Sequence, residues 1–397
     1  MTKNFSLALL IPFVFQLSAC AKDTSSFEAS SATMALSPPP AVEPDSPNQP
    51  ETPPSQDSEN SRVWKLAVVS DMNKSYGSTA YTPELRSAVS HIQELGVQAV
   101  LSTGDMVAGQ KKGLNYQAMW NSFHSVVTQK FVDSSIPFLP SPGNHDASHG
   151  SAFKTEREIY RKNFLNFPID QFNAKRPQED RIEFLKNVEQ NYPLNYAVTM
   201  GPALLIGVDA TAVGPLINDQ LGWLEEVLAE GHAYKIKIIY GHMPLYPFAF
   251  TKASESMAQG SGSSGFADRL EALLEKYKVT YFLSGHHHVF YPGHRNGSVH
   301  YISVPLLGSG KRKLLTKNRT HNSRSDEAFL YLTFNDKGEH SLKAIKSPSR
   351  EEVSWNSLPP AVSLPSSSSS DCKGCGSFPK SLFLNSIERI LYNRISR

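Results

Sequence analysis

Five short apolar runs of this chain are each followed within four residues by residues that can bind a metal ion. The runs at 64–70, 97–102, 137–140, 235–240 and 279–284 are predicted strands. They are followed by Asp71-Met72-Asn73, Gly104-Asp105, Gly143-Asn144-His145-Asp146, Gly241-His242 and Gly285-His286-His287-His288. Because ligands of α/β sheets bind at the carboxyl ends of the strands, we expect these side chains to converge at one sheet edge.

Predicted helices alternate with these strands. Thr82 is a typical N-cap, Pro83 occupies the first helical position and Gly96 follows the last turn, which predicts a helix over 83–95. Further helices are predicted at 116–132, 218–230 and 266–277, further strands at 204–208 and 299–304, and a closing hairpin at 328–334 and 340–345. The alternation is typical of an α/β architecture.

The residues at the strand ends suit a site for two metal ions. Each one alone has an ordinary explanation, since a single Asp after a strand commonly caps a turn and an isolated His is commonly structural. The ordered set indicates more, because a carboxylate can bridge two cations and reduce their repulsion. Imidazole suits transition metals and oxygen ligands suit harder ions, so the mixed set indicates Mn, Fe or Zn. The set contains no cysteine, which argues against a structural zinc module.

The order of these motifs resembles that of the calcineurin-like metallophosphoesterases over about residues 63–346. Gly-Asn-His-Asp followed by Gly-His-x-His is the specific part of the resemblance. It implies a four-layer α/β/β/α sandwich with two mixed β-sheets, which the alternation of elements alone does not distinguish from a doubly wound sheet. It also implies hydrolysis of a phosphomonoester or phosphodiester by a hydroxide that two divalent or trivalent ions activate.

The resemblance also implies a role for each site residue. The metal ligands by position are Asp71, Asn73, Asp105 and His288 for the first ion and Asp105, Asn144, His242 and His286 for the second, with Asp105 bridging. His145 is expected beside the phosphate, as a proton donor or a stabiliser of developing charge. Asp146 is expected to orient the His145 ring. His287 is expected to point away from the metals.

Asn73 departs from the family pattern, which has a metal-binding His at this position. An amide oxygen is a harder and weaker donor than imidazole. The acid phosphatase branch also lacks this His and uses a Tyr three residues after the Gly-Asp aspartate, where this chain has Ala108. We therefore expect the first metal to be held weakly or to be a hard ion such as Mn. A non-catalytic envelope binding protein that retains the fold is the alternative function.

The N-terminal residues predict export. Residues 1–19 form a predicted signal peptide with a short apolar stretch, and Leu17-Ser18-Ala19-Cys20 resembles a bacterial lipobox, which implies lipidation of Cys20. The alternative is a buried helix with a chance cysteine. Residues 20–62 are rich in Pro and Ser and are predicted to be a tether, since such a segment buries little apolar surface. We expect the protein at a bacterial cell envelope, lipid-anchored on the periplasmic side or the outer-membrane surface.

The C-terminal residues form a predicted appendage to the 63–346 domain. Residues 347–379 are a predicted linker with Cys372 and Cys375, and residues 380–397 a predicted amphipathic helix. In an oxidising compartment the cysteine pair favours a local disulfide, with a redox pair or half of a zinc site as alternatives.

The charge of the chain bears on which classes of partner it can bind. A formal net charge of +2 gives no support to nucleic-acid binding as the main function. A secreted nuclease needs a basic groove, for which Lys311-Arg312-Lys313 is the tight basic run of the folded block. We expect a monomer whose partners are a phosphate-ester substrate and, through the lipid, a membrane. Substrate specificity is assigned to the loops at 72–81, 106–115, 147–195, 247–264 and 308–326.

Overall fold

The computed structural model describes residues 33–37, 61–165, 169–217, 219–295, 297–316 and 325–362. The predicted signal peptide, Cys20, the cysteine pair and the predicted helix 380–397 lie outside the described residues.

The described residues form strands and helices that alternate through most of the chain. The strands are β1 (Met34–Leu36), β2 (Val63–Val69), β3 (Ala99–Ser102), β4 (Phe138–Pro140), β5 (Glu183–Phe184), β6 (Tyr196–Met200), β7 (Ala203–Gly207), β8 (Ile236–Gly241), β9 (Tyr281–Ser284), β10 (Tyr291–His294), β11 (His300–Ser303), β12 (Ala328–Asn335), β13 (His340–Lys346) and β14 (Ala361–Val362). The helices are α1 (Pro83–Leu95), α2 (Tyr116–Phe123), α3 (Gln129–Asp133), α4 (Asn144–Ala147), α5 (Lys154–Phe164), α6 (Ile169–Asn173), α7 (Gln220–Glu230) and α8 (Phe266–Lys276). A π-helical turn, His124–Thr128, joins α2 to α3, so the helix predicted at 116–132 is continuous.

Across the described residues the strands form two mixed sheets. One has the order β13-β12-β2-β3-β4, in which β2, β3 and β4 are parallel and β12 and β13 antiparallel to their neighbours. The other has the order β14-β1-β10-β11-β9-β8-β7-β6-β5, in which β11, β9, β8 and β7 are parallel. The predicted metal ligands follow parallel strands of both sheets, namely β2, β3 and β4 of the first and β8 and β9 of the second.

Three apolar cores separate four layers. Between the sheets, Leu66 and Leu101 of the first sheet pack in one cluster with Leu205 and Ile238 of the second. On the outer face of the first sheet, α1, α2 and α5 cover β2, β3 and β4. On the outer face of the second sheet, α7 and α8 cover β7, β8 and β9. The predicted four-layer sandwich is therefore confirmed.

Helix α1 shows how local sequence sets these elements. The Thr82 hydroxyl accepts a hydrogen bond from the backbone N–H of Leu85 at 3.1 Å, and Gly96 ends the helix with φ 61°. Both caps satisfy backbone groups that a helix end leaves unpaired. The residues that α1 buries, Leu85, Ala88, Val89 and Ile92, recur at helical spacing and face the sheet.

The boundaries of the folded domain differ from those expected. Residues 33–37, assigned to the tether by composition, include β1, which pairs antiparallel with β10 on one side and β14 on the other. Met34 is buried in the core beneath α7 and α8. Residues 347–362 of the predicted linker include β14 and are also folded. The correction follows from pairing between distant segments, because each short strand is stabilised by backbone hydrogen bonds to partners that composition does not reveal.

Among the described residues, no helix has the length and apolar character that crossing a membrane requires.

Candidate metal centre

The predicted ligands meet where the two sheets bring their parallel strands together. Asp71 follows β2, Asp105 follows β3 and Asn144 begins α4 just after β4, all on the first sheet. His242 and His286 follow β8 and β9 of the second sheet. Ligand atoms of Asp71, Asp105 and His242 all lie within 4.8 Å of one another, and the three residues are buried. The convergence expected from the strand ends is present.

Several of these residues have a backbone conformation that side chains rarely adopt. The φ angles are 48° for Asp71, 56° for Asp105, 63° for His286 and 52° for His288. Such angles cost about 1–3 kcal/mol each and are found mostly at functional sites. Neighbouring glycines make room for them: a Cβ on Gly143 would lie 2.2 Å from the backbone N of Asp105, and one on Gly285 would lie 2.2 Å from Oγ of Ser70.

In one half of the centre, Asp71 faces His288. Nδ1 of His288 donates a hydrogen bond to the carbonyl oxygen of Gly310 at 2.8 Å, so in the neutral ring Nε2 carries a lone pair. That Nε2 lies 3.1 Å from Oδ1 of Asp71. Oδ1 is buried without a hydrogen bond, whereas Oδ2 accepts one from the Ser70 hydroxyl at 2.7 Å. Two lone-pair atoms thus face each other, which suits a cation between them.

In the other half, four atoms that can bind a metal lie close together. Nδ1 of His242 donates to the carbonyl of Thr103 at 2.9 Å, which turns Nε2 inward. This Nε2 lies 3.3 Å from Oδ2 of Asp105 and 2.9 Å from Oδ1 of Asn144. Nδ1 of His286 lies 3.1 Å from the same Asn144 oxygen and 3.2 Å from His242 Nε2.

The charges of the centre also fit a cation. Burial opposes a charge on His242, but the Asp105 carboxylate overcomes this and raises the His242 pKa to about 9. Burial likewise opposes ionisation of Asp71, and His288 nevertheless holds the Asp71 pKa below its usual value. Since oxygen and nitrogen donors of this kind bind transition metals, the residues fit the dinuclear centre that the motifs imply.

His145 lies at the edge of the centre rather than inside it. Its Nδ1 donates to the carbonyl of Gly109 at 2.9 Å, and its Nε2 lies 4.0 Å from Oδ2 of Asp105. The side chain is 23% exposed. His145, Asn73 and His288 line one cavity of about 370 Å³. His145 can therefore reach a molecule that enters the cavity.

Asp146 does not have the expected role. Its Oδ1 accepts hydrogen bonds from the backbone N–H groups of Met106 and Val107 at 2.8 and 2.9 Å, and its Oδ2 from that of Gly143 at 2.9 Å. The His145 ring is oriented by Gly109 instead. The expectation that Asp146 orients His145 is corrected, because the buried carboxylate is already engaged by backbone donors that hold the loop after Asp105 against α4.

Residues 65–290 match the family described as calcineurin-like phosphoesterases. The chain belongs to this family.

Three solved structures of low identity are similar to this chain. A purple acid phosphatase from yellow lupin (Lupinus luteus) seeds has a TM-score of 0.51 and 17% identity, over 77% of this chain and 54% of that one. The anchor protein of the inner membrane complex of Plasmodium has a TM-score of 0.46 and 17% identity, over 76% and 89%. A dimetal phosphatase from Danio rerio has a TM-score of 0.44 and 14% identity, over 70% and 98%. This chain spans about half the length of the lupin protein. No curated protein matches the sequence.

Asn73 stands where the calcineurin-like pattern has a His. It lines the same cavity as His288, which belongs to the half of the centre that contains Asp71. It is buried, and its Nδ2 donates to the carbonyl of Val107 at 3.3 Å. Its Oδ1, the atom that would bind a metal, accepts a hydrogen bond from the Ser309 hydroxyl. The amide is thus held by two neighbouring loops.

Sequence reasoning missed the residues that hold the ligands in place. Gln110 accepts a hydrogen bond from Nδ2 of Asn144 at 2.7 Å, which turns the Asn144 oxygen inward. Glu255 lies 2.8 Å from Nε2 of His286. Both are in loops that were assigned to substrate specificity, where the sequence shows no periodicity, so no local signal identifies them.

Proposed function

We propose that this protein is a metal-dependent phosphoesterase that hydrolyses a phosphomonoester or phosphodiester. The observation that carries the proposal is the convergence of buried metal-binding atoms, since those of Asp71, Asp105 and His242 all lie within 4.8 Å of one another. Beside them the Nε2 atom of His145 reaches the cavity from its edge. Membership of the calcineurin-like phosphoesterase family supports the same reaction class.

The residues divide into those that hold ions and one that acts on the substrate. Asp71, Asp105 and His288 would hold the first ion, with Asn73 as a candidate ligand, and Asp105, Asn144, His242 and His286 the second. When bound, the ions would lower the pKa of a coordinated water and neutralise negative charge on the phosphoryl group. The suitable metals are Mn, Fe and Zn, which accept both oxygen and nitrogen donors.

His145 would act at the leaving group. Because Gly109 fixes Nδ1 as a donor, Nε2 is the atom that can meet a phosphate ester. In the protonated ring, Nε2 would donate a proton to the leaving oxygen or stabilise negative charge there.

A non-catalytic binding protein is the second candidate function. Asn73 favours it, because its amide oxygen already accepts a hydrogen bond from Ser309. Ala108, where the acid phosphatase branch has its compensating Tyr, offers no ligand atom. With a weakly held first ion, the protein would bind a phosphate ester without cleaving it.

A nuclease receives less support. Nζ of Lys311 pairs with Oε2 of Glu327 at 2.6 Å, and the Arg312 guanidinium donates to the backbone carbonyl of His286. These side chains are engaged within the chain rather than arranged along a groove for a nucleic-acid backbone.

The experiment that tests the proposal is hydrolysis of nitrophenyl phosphate by the purified protein with added Mn. We expect activity in the wild type, loss of activity in Asp105→Asn, and unchanged activity in Asp133→Ala, which removes an exposed carboxylate of α3. Metal bound by a wild type that hydrolyses neither monoester nor diester substrates would favour the binding protein.

A further inference from the structure

Glu255 contacts two consecutive histidines of the Gly-His-x-His motif through different groups. An oxygen of its carboxylate, Oε2, lies 2.8 Å from Nε2 of His286. Its backbone carbonyl oxygen lies 2.8 Å from Nε2 of His287. Glu255 lies in the segment between β8 and α8, 31 residues before His286 along the chain.

The contact with the Glu255 carboxylate decides where the His286 proton lies. Nζ of Lys252 lies 2.8 and 2.7 Å from the two carboxylate oxygens of Glu255 and donates to both. Because a carboxylate oxygen accepts hydrogen bonds, the contact with Oε2 assigns the proton to Nε2 of His286. Nδ1 is then the bare nitrogen, and it is the atom that faces His242.

The contact with the Glu255 backbone is independent of the carboxylate. Nδ1 of His287 accepts hydrogen bonds from the backbone N–H groups of Phe248 and Ala249 at 2.9 and 3.1 Å. Nε2 of His287 therefore carries the proton and donates it to the Glu255 carbonyl. A change of the Glu255 side chain would leave the hydrogen bond between His287 and the Glu255 backbone in place.

We propose that Glu255 is a positioning residue for the second metal subsite, acting through His286. Its carboxylate fixes the tautomer and the orientation of the ring and makes Nδ1 a better donor to a metal. Carboxylates hydrogen-bonded to metal-binding histidines act in this way generally. The inference rests on the metal-binding part of the proposed function, in which His286 is a ligand.

Two features of the surroundings limit what removal of the Glu255 carboxylate would change. The Glu255 side chain is 32% exposed, so water screens part of its charge. Arg312 donates to the His286 carbonyl and holds the backbone of this residue separately. Removal of the Glu255 carboxylate should therefore change the tautomer and orientation of the His286 ring and leave the His286 backbone in place.

The test compares Glu255→Ala and Glu255→Gln with the wild type. Metal affinity is measured by competition between the protein and a chromophoric chelator for Mn or Zn, and the His286 tautomer in the metal-free protein by the ¹⁵N shifts of its ring nitrogens. We expect affinity to fall about 10–100-fold in Glu255→Ala, the usual effect of losing such a partner. The Ala variant should also show a mixture of tautomers. In Glu255→Gln the amide oxygen still accepts from Nε2, so the tautomer should be retained and the loss of affinity smaller.

The matched control is Glu225→Ala. Glu225 also forms an ion pair with a lysine, Lys276, at 2.7 Å, but it lies on α7 in an outer layer. Its variant should keep wild-type affinity and the wild-type tautomer of His286. Wild-type affinity or an unchanged tautomer in Glu255→Ala would overturn the inference.

The test of the role of Glu255 can fail or succeed independently of the test of catalysis. A wild type that binds metal but hydrolyses no ester, with weaker binding in Glu255→Ala, would reject catalysis and support the role of Glu255. An active wild type with equal metal affinity in both proteins would reject the role of Glu255 and leave catalysis standing. A wild type that binds no metal would overturn both.

Discussion

Single acceptor groups place the ring protons of the histidines around the metal centre. The acceptors are the carbonyls of Thr103 for His242, Gly310 for His288 and Gly109 for His145, and the carboxylate of Glu255 for His286. Each leaves one bare nitrogen in the neutral ring, and for three of the rings that nitrogen faces another donor atom. The donor atoms are therefore in position before an ion binds, and changes at single residues should separate metal binding from chemistry.

Replacing His145 by Ala should lower the rate without removing metal. Its ring lies at the edge of the cavity, and loss of a positioned proton donor typically lowers kcat about 10²–10⁴-fold. Rates on nitrophenyl phosphate and metal content by emission spectroscopy would be measured together. Asp105→Asn is the comparison, which should lose metal and activity in parallel. Full activity in His145→Ala would contradict the proposed mechanism.

Metal affinity should rise with pH. The metal-free protein keeps a proton on His242 up to a pKa of about 9, because the Asp105 carboxylate outweighs the effect of burial. An ion must displace this proton, so below pH 9 each unit of rising pH should strengthen binding by up to about tenfold. Chelator competition between pH 6.5 and 8.5 would measure the slope. A constant affinity over this range would show that no proton is displaced.

Replacing Asn73 by His should tighten the first subsite. Imidazole is a better ligand for transition metals than an amide oxygen, and Asn73 Oδ1 already accepts a hydrogen bond from Ser309. Metal retained during chelator titration is the readout, with an expected gain of about tenfold or more. Ser309→Ala is the companion variant, since it frees the amide oxygen and should give a smaller gain. Equal retention in Asn73→His and wild type would place Asn73 away from the metals.

At the scale of elements, the loop after β2 brings an aromatic ring beside His145. Tyr76 is 55% exposed. The centroid of its ring lies 5.3 Å from the centroid of the His145 ring and 5.9 Å from Nζ of Lys111. An exposed ring beside the residue expected at the leaving group can stack on an aromatic leaving group.

Tyr76→Ala should therefore raise KM for aryl phosphates several-fold, by an amount comparable to about 0.5–1.5 kcal/mol of aromatic contact. KM for glycerol phosphate should change little, and Tyr76→Phe should resemble the wild type. Phe184→Ala, which removes an exposed aromatic ring from the edge strand β5, is the control. Equal increases in KM for both substrates would show that the ring does not contact the leaving group.

At the scale of the whole molecule, β1 changes the expected arrangement of the N-terminal segment. The strand is hydrogen-bonded between β10 and β14 and begins at Met34, so residues 21–33 lie between Cys20 and the folded sheet. We propose that these residues form the tether to a bacterial envelope membrane and that the lipid on Cys20 is the anchor. Residues 38–60 then connect two strands of the domain rather than the domain to a membrane.

Cys20→Ala should release the protein from membrane fractions or leave it unprocessed. Immunoblots of membrane and soluble fractions would show the change, and Cys372→Ala serves as the cysteine control, which should remain in the membrane fraction. Unchanged membrane association of Cys20→Ala would point to the C-terminal residues as the anchor.

The sequence determined the elements and most residues of the centre because both depend on local information. Caps such as Thr82 and Gly96, apolar runs of strand length, and ligand residues directly after them can be read within a few positions. Strand β10 was missed because its sequence, Tyr-Pro-Gly-His, contains two residues that disfavour strands. Its neighbour β1 was missed because it lies within a Pro- and Ser-rich segment.

Only the tertiary structure decided how the ligands are held. Asp146 binds backbone groups 39 and 40 residues earlier in the chain, and Glu255 binds a histidine 31 residues later. Such contacts join loops that follow neighbouring strands of one sheet, β3 and β4 for Asp146 and β8 and β9 for Glu255. The packing of the two sheets, which distinguishes the sandwich from a doubly wound sheet, is likewise not a local property of the sequence. Hydrogen bonds between distant residues leave no periodic pattern in the sequence. For this reason the residues that converge at the centre could be predicted, whereas their hydrogen-bond partners, their orientation and the role of Asp146 could not.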